Sequence, residues 1–129
     1  MDFLSILRSL YSEKSILPLF CVGIHCIDDR KNEYGTADIL DYQGLGAKAS
    51  LYTRFVFEEL LQFIKKKYEI KSFKEKSYAG FSLGGLSALD IVWNHAGEFT
   101  KVGVFSGSLW WRDKDQHAKD FNEDTDRIM

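Results

Sequence analysis

A chain of 129 residues is one domain's worth, long enough to bury about two thirds of the surface its unfolded form exposes. Apolar residues at 45%, aromatics at 15% and charged residues at 28% exclude disorder, a collagen-like repeat or a disulfide-stapled miniature as the main state. Seventeen Lys and Arg against 19 Asp and Glu leave a net charge of −2. That lacks the basic excess needed to neutralise several phosphates and argues against a nucleic-acid partner.

Phe3, Leu4, Ile6, Leu7, Leu10 and Tyr11 recur at helical spacing, which predicts a first helix over about residues 2–12. No cationic region precedes these apolar residues, so no export signal is visible and cytoplasmic is the default compartment. Residues 19–27 are almost continuously apolar and rich in β-favouring types, the pattern of a strand buried on both faces of a parallel sheet. Cys21 and Cys26 fall in this stretch. On an extended strand they would stand about 16 Å apart, beyond disulfide reach, so both read as buried free thiols. With no CxxC or matching His pair beside them, a metal or redox role has little support.

Residues 28–47 hold three glycines and several charges with no sustained period, and loops of that length in compact domains are usually functional or mobile. Residues 49–68 place Leu51, Tyr52, Phe55, Val56, Leu60, Phe63 and Ile64 on a wide apolar stripe, with Lys65, Lys66 and Lys67 where cations complement the helix dipole. This is the strongest helix signal in the chain. A short strand follows at residues 77–81, a helix at 83–94 and a buried strand at 101–105, giving the order α, β, α, β, α, β. Such alternation implies βαβ crossovers and a three-stranded parallel sheet covered by helices, an α/β fold. Beyond Trp111 the chain is too polar to add much core, which divides it into a core at 1–111 and a polar loop or tail at 112–129. No stretch approaches the roughly 20 apolar residues of a membrane span, and the chain reads as soluble.

Gly80-Phe81-Ser82-Leu83-Gly84 matches G-x-S-x-G, a pattern with a chance probability of about 0.06 in a chain of this composition. Its context adds weight: a predicted strand ends and a predicted helix begins at Ser82, the setting of a nucleophile elbow. There a strained turn would raise Ser82 Oγ above the sheet edge. Gly80 and Gly84 would let strand and helix approach, Gly85 would add room, and the Leu83 N–H would be one donor of an oxyanion hole. The plainer alternative is that Ser82 merely caps the helix, since Ser is a favoured N-cap residue.

Residues 79–86 resemble the elbow of the putative esterase family, the esterase D and enterochelin esterase type within the α/β-hydrolase superfamily, and residues 104–111 resemble its following strand with a Ser-rich, aromatic end. Val22-Gly23-Ile24, Asp29-Arg30 and Glu33-Tyr34 resemble its preceding strand and loop, and Tyr52, Phe55, Glu58, Glu59, Leu60 and Tyr68 its long helix. The resemblance implies a partial α/β-hydrolase fold and hydrolysis of a small-molecule carboxylic ester through an acyl-enzyme on Ser82. It implies no cofactor, no metal, and a triad in the order Ser, Asp or Glu, His. Family members are longer, carrying a second oxyanion donor before and the acid and His after the stretch matched here. The expectation is therefore a nucleophile-bearing piece with little activity alone, its bare sheet edges open to self-association.

The chain's three histidines support that expectation. His95 lies about 20 Å down the helix from Ser82, and His25 in the first strand reads as a core or site-edge group. Asp113 and His117 have the right order, but an acid and base four residues apart rarely converge on one serine. Arg30 and Glu33 could pair across their loop or meet substrate, and Trp110 and Trp111 could line an acyl pocket or cover core. The reading from a different class is a non-catalytic binding or assembly domain that keeps the fold, although a scaffold has no reason to retain a strained, glycine-flanked serine.

Overall fold

The computed structural model describes residues 2–37 and 39–128; Asp38 of the predicted loop, Met129 of the predicted tail and the initial Met1 lie outside them. Helix α1 spans Phe3–Ser12, its N-terminus capped by the Asp2 carboxylate accepting from Ser5 N–H at 2.8 Å. A single turn, α2 (Arg30–Glu33), opens the long loop. The predicted central helix is present as α3 (Ala49–Arg54), a π-helical stretch at Phe55–Leu60 and α4 (Leu61–Lys67). Strand β1 (Ser77–Phe81), helix α5 (Leu83–Asn94) and strand β2 (Lys101–Phe105) fall where the periodicity placed them. A last turn, α6 (Glu123–Asp126), follows.

The sheet has two parallel strands, with Ser77 opposite Lys101 and Phe81 opposite Phe105. The third predicted strand does not form. Residues 19–27 carry a single backbone hydrogen bond among the described residues, Arg30 N–H to Ile27 C=O at 3.1 Å. Apolar, β-branched composition favours an extended chain, but a strand also needs a neighbour to complete its ladder. Without one the segment lies against the surface, and Cys21 and Cys26 are exposed rather than buried. For the same reason α1 buries none of its residues, although its apolar stripe is present.

The core gathers around α5. One cluster joins Tyr34, Leu83, Leu86 and Trp111; a second joins Val56, Ile91, Val92 and Phe99, and Tyr52 packs against both. Helix α5 is buried along most of its length because β1 and β2 contact one side while Tyr34 and Val56 close others. The predicted stripe of the central helix is only half covered: Val56 and Ile64 are buried, Leu51 and Phe63 are exposed.

The loop at 28–47 is pinned rather than free. Gly35 N–H donates to Ser87 Oγ at 2.8 Å and Ala37 N–H to Asp90 Oδ2 at 3.0 Å, both on α5. Trp111 threads between Gly35 and Gly46 and donates from Nε1 to Ile39 C=O at 2.9 Å. It is fully buried, so of the two tryptophans considered as pocket walls Trp111 is core, whereas Trp110 is exposed. After Trp111 the chain returns on itself: Ile128 N–H donates to Trp111 C=O at 2.8 Å, and Arg112 bridges Arg127 in antiparallel fashion.

Candidate active site

Strand β1 ends at Phe81 and α5 begins at Leu83, so the whole turn is carried by Ser82. Its backbone sits at φ 53°, ψ −123°, a conformation that costs a non-glycine residue about 1–3 kcal/mol and persists only where neighbours hold it. Here they do. Ser82 N–H donates to Phe105 C=O at 3.0 Å, and Ser82 C=O accepts from Gly85, Leu86 and Ser108 N–H at 2.9, 3.2 and 3.1 Å. Although Ser82 occupies the N-cap position, its side chain makes no capping hydrogen bond. The helix-cap alternative for this serine is thereby set aside, and its hydroxyl stands on an exposed residue.

The glycines of the motif differ in what they do. A Cβ on Gly80 would lie 2.1 Å from Gly84 O and 2.4 Å from Gly84 C, a collision with the backbone of the first helical turn. One on Gly85 would press on Gly107 Cα and Gly80 O, each at 3.1 Å. One on Gly84 would meet only the Tyr34 ring, at an ordinary 3.6 Å. Strand and helix therefore approach through Gly80 and Gly85, while Gly84 faces Tyr34.

The Leu83 N–H opens α5 and has no hydrogen-bond acceptor among the described residues. It is one of the free N–H groups at the positive end of the helix, where negative charge is favoured. Nearby, Tyr34, Tyr52 and Tyr78 form a linked group: the Tyr34 and Tyr52 rings meet edge to face at 5.1 Å, and the Tyr52 and Tyr78 hydroxyls lie 3.0 Å apart. Burial is the main reason all three phenols are held above the usual tyrosine range. They are neutral donors and acceptors rather than bases.

The histidines stay away from Ser82. His95 caps the far end of α5 with its ring 4.4 Å from Phe57. His25, expected in a buried strand, is exposed and lines an open cavity with Glu33, Lys48 and Tyr52 that does not include Ser82. The His117 ring lies beside Gln116 at 3.1 Å, and the His117 backbone N–H donates to Asp115 Oδ1, so Ser82, Asp113 and His117 form no hydrogen-bonded set among the described residues. Arg30 does not pair with Glu33; its guanidinium lies 5.9 Å from the centre of the Tyr34 ring.

One site residue was not singled out from the sequence. Ser108 is buried, and its Oγ lies 3.2 Å from Ser82 Oγ. The clue was present in the parallel register, which sets Phe81 opposite Phe105 and so brings the residues after β2 beside the turn after β1.

Parallel strands joined through a crossover helix define an α/β protein. A family model described as Putative esterase matches residues 3–127, nearly the whole chain, and the protein belongs to that family. Membership supports a hydrolase of the esterase kind acting on a small-molecule ester. Neither the curated proteins nor the solved structures include a significant match. No described helix is long and apolar enough to cross a membrane.

Proposed function

We propose that Ser82 is the acyl-enzyme nucleophile of a carboxylic ester hydrolase, with Gly80 and Gly84 as the glycines of its elbow. The observation that carries this reading is the φ of 53° at an exposed serine on a strand-to-helix turn. Strain of this kind concentrates at functional sites, and here it falls with ψ −123° on the residue whose hydroxyl would react. Ser82 Oγ would attack the ester carbonyl carbon, forming a C–O bond while the carbonyl electrons move onto oxygen. The Leu83 N–H and the α5 dipole would stabilise that oxyanion, a single donor of this kind being worth about 3 kcal/mol. A base would take the Ser82 hydroxyl proton and return it to the leaving oxygen as the intermediate collapses, so that the alcohol departs and the acyl group stays on Ser82 for water to remove.

Both halves of the reaction need a general base, and none of the three histidines contacts Ser82 among the described residues. We assign the base and its acid partner to residues outside these 129, so the chain alone turns over slowly. Deacylation without a base is as impaired as acylation. The test is intact-mass analysis after incubation with p-nitrophenyl acetate, for the chain and for Ser82→Ala. An acetyl group that accumulates slowly on Ser82 and is absent in the variant is the expected result. Rapid steady-state release of p-nitrophenol abolished by Ser82→Ala would place the base within the chain, and acetylation unchanged by the substitution would remove Ser82 from the reaction.

A further inference from the structure

We infer that Ser108 is a positioning residue that donates its hydroxyl proton to Ser82 Oγ and thereby holds the Ser82 side chain in one orientation with its own proton free. The inference rests on Ser82 being the nucleophile for its catalytic meaning, but the hydrogen bond itself stands on geometry.

The ends of the two strands are built alike. Ser82 follows Phe81 with φ 53° and Ser106 follows Phe105 with φ 47°, so both chains leave the sheet through a left-handed serine at the same level of the register. Gly107 comes next, where a Cβ would press on the Val104 side chain, with Cγ1 at 2.5 Å, so the chain turns back close against β2. That return places Ser108 over the elbow, its N–H on Ser82 C=O at 3.1 Å and its Oγ 3.2 Å from Ser82 Oγ. Two strained residues and a closely packed glycine thus bring one hydroxyl to another.

Burial sets the direction of the bond. Ser108 is 5% exposed, and its hydroxyl has no other side-chain or backbone partner among the described residues. A buried hydroxyl left without an acceptor for its proton is costly, so Ser108 donates to Ser82 Oγ. Ser82 is exposed and can turn its own proton toward solvent, the side from which a base must arrive. The reverse arrangement would tie up the proton that has to be removed and leave the Ser108 proton buried and unpaired.

A double-mutant cycle on the full chain tests the bond independently of reactivity, using urea unfolding of wild type, Ser82→Ala, Ser108→Ala and the double variant. Non-additive losses of stability, with the second deletion costing less than the first, are expected, and additive losses overturn the inference. The catalytic consequence is read from the rate at which a fluorophosphonate labels Ser82 with imidazole supplied as base. Ser108→Ala should slow labelling about 5-fold, the scale of one neutral hydrogen bond, and Ser108→Thr, which keeps the hydroxyl, should restore most of it. Ser108→Cys, close in size with a weaker donor, should fall between them and serves where Thr perturbs folding. Equal labelling by the Ala variant and wild type overturns the positioning role. A coupled pair in a chain whose Ser82 is never labelled refutes the nucleophile assignment and leaves the hydrogen bond standing.

Discussion

Alanine at Gly80 and alanine at Gly84 should have opposite effects, although the two glycines occupy symmetric places in G-x-S-x-G. At Gly80 the new methyl would sit 2.1 Å from Gly84 O, 2.4 Å from Gly84 C and 2.9 Å from Gly85 N. All three are backbone atoms of the first turn of α5, so relief requires strand and helix to part, and with them the burial of Leu83 and Leu86. Overpacking that displaces only side chains costs about 1–3 kcal/mol; displacing a backbone junction should cost at least the upper figure, a large share of a small domain's stability. At Gly84 the methyl meets only the Tyr34 ring at 3.6 Å, and Gly84 lies within α5 without a positive φ. There the helix propensity of alanine over glycine, about 1 kcal/mol, works without a steric penalty. Urea unfolding followed by circular dichroism should show Gly80→Ala strongly destabilised or unfolded and Gly84→Ala unchanged or stabilised by up to about 1 kcal/mol. Equal losses at the two positions, or the reverse order, would refute this account of the strand–helix contact.

Three further outcomes follow from the packing and the titrating groups. Trp111→Ala removes a fully buried indole from between Gly35 and Gly46 and takes from Ile39 C=O one of its two donors, leaving the Thr36 hydroxyl; a loss of about 3–5 kcal/mol is expected, and a melting temperature within a degree or two of wild type would contradict it. Ser87→Ala leaves the Gly35 N–H without its 2.8 Å acceptor in a buried setting, which should cost about 1–3 kcal/mol and raise hydrogen exchange in the loop at 28–47 before it affects β1 and β2. Tyr34, Tyr52 and Tyr78 are held above the ordinary tyrosine range by burial. Their stabilising contribution is therefore complete below pH ~10 and declines as pH rises further, because the unfolded chain ionises while the folded one resists. Urea midpoints measured across pH 8–11 should fall on the alkaline side, less steeply for Tyr52→Phe; parallel profiles for the two proteins would sink the assignment.

The segments that periodicity located without error are β1, α5 and β2, which satisfy one another: the strands pair, and the helix between them covers one face. Local pattern and tertiary contact agree there, and residues 77–105 were readable as a unit. Residues 19–27 carried an equally strong strand pattern and failed, because a ladder is a property of two segments and composition describes one. The exposure of Cys21 and Cys26 follows from that single failure. At the site, the turn at Ser82 was legible because G-x-S-x-G leaves a mark in the sequence, although of the two flanking glycines only Gly80 is required by close approach. The sequence did not separate the tasks of Gly80, Gly84 and Gly85, which depend on what each Cβ would strike. Ser108 escaped notice because its meeting with Ser82 depends on strand register and on the left-handed turn at Ser106, neither of which a motif records.

The most direct test of the central claim is the rate of fluorophosphonate attachment to the full chain with increasing imidazole, the adduct being located by peptide mass mapping. Attachment at Ser82 that is slow alone, rises with the concentration of free-base imidazole and disappears in Ser82→Ala is the result expected of a serine with its turn and oxyanion donor in place and its base supplied from elsewhere. Fast attachment indifferent to imidazole would show a base already beside Ser82, and folded protein that stays unlabelled at every imidazole concentration, or is labelled at another residue, would contradict Ser82 as the nucleophile.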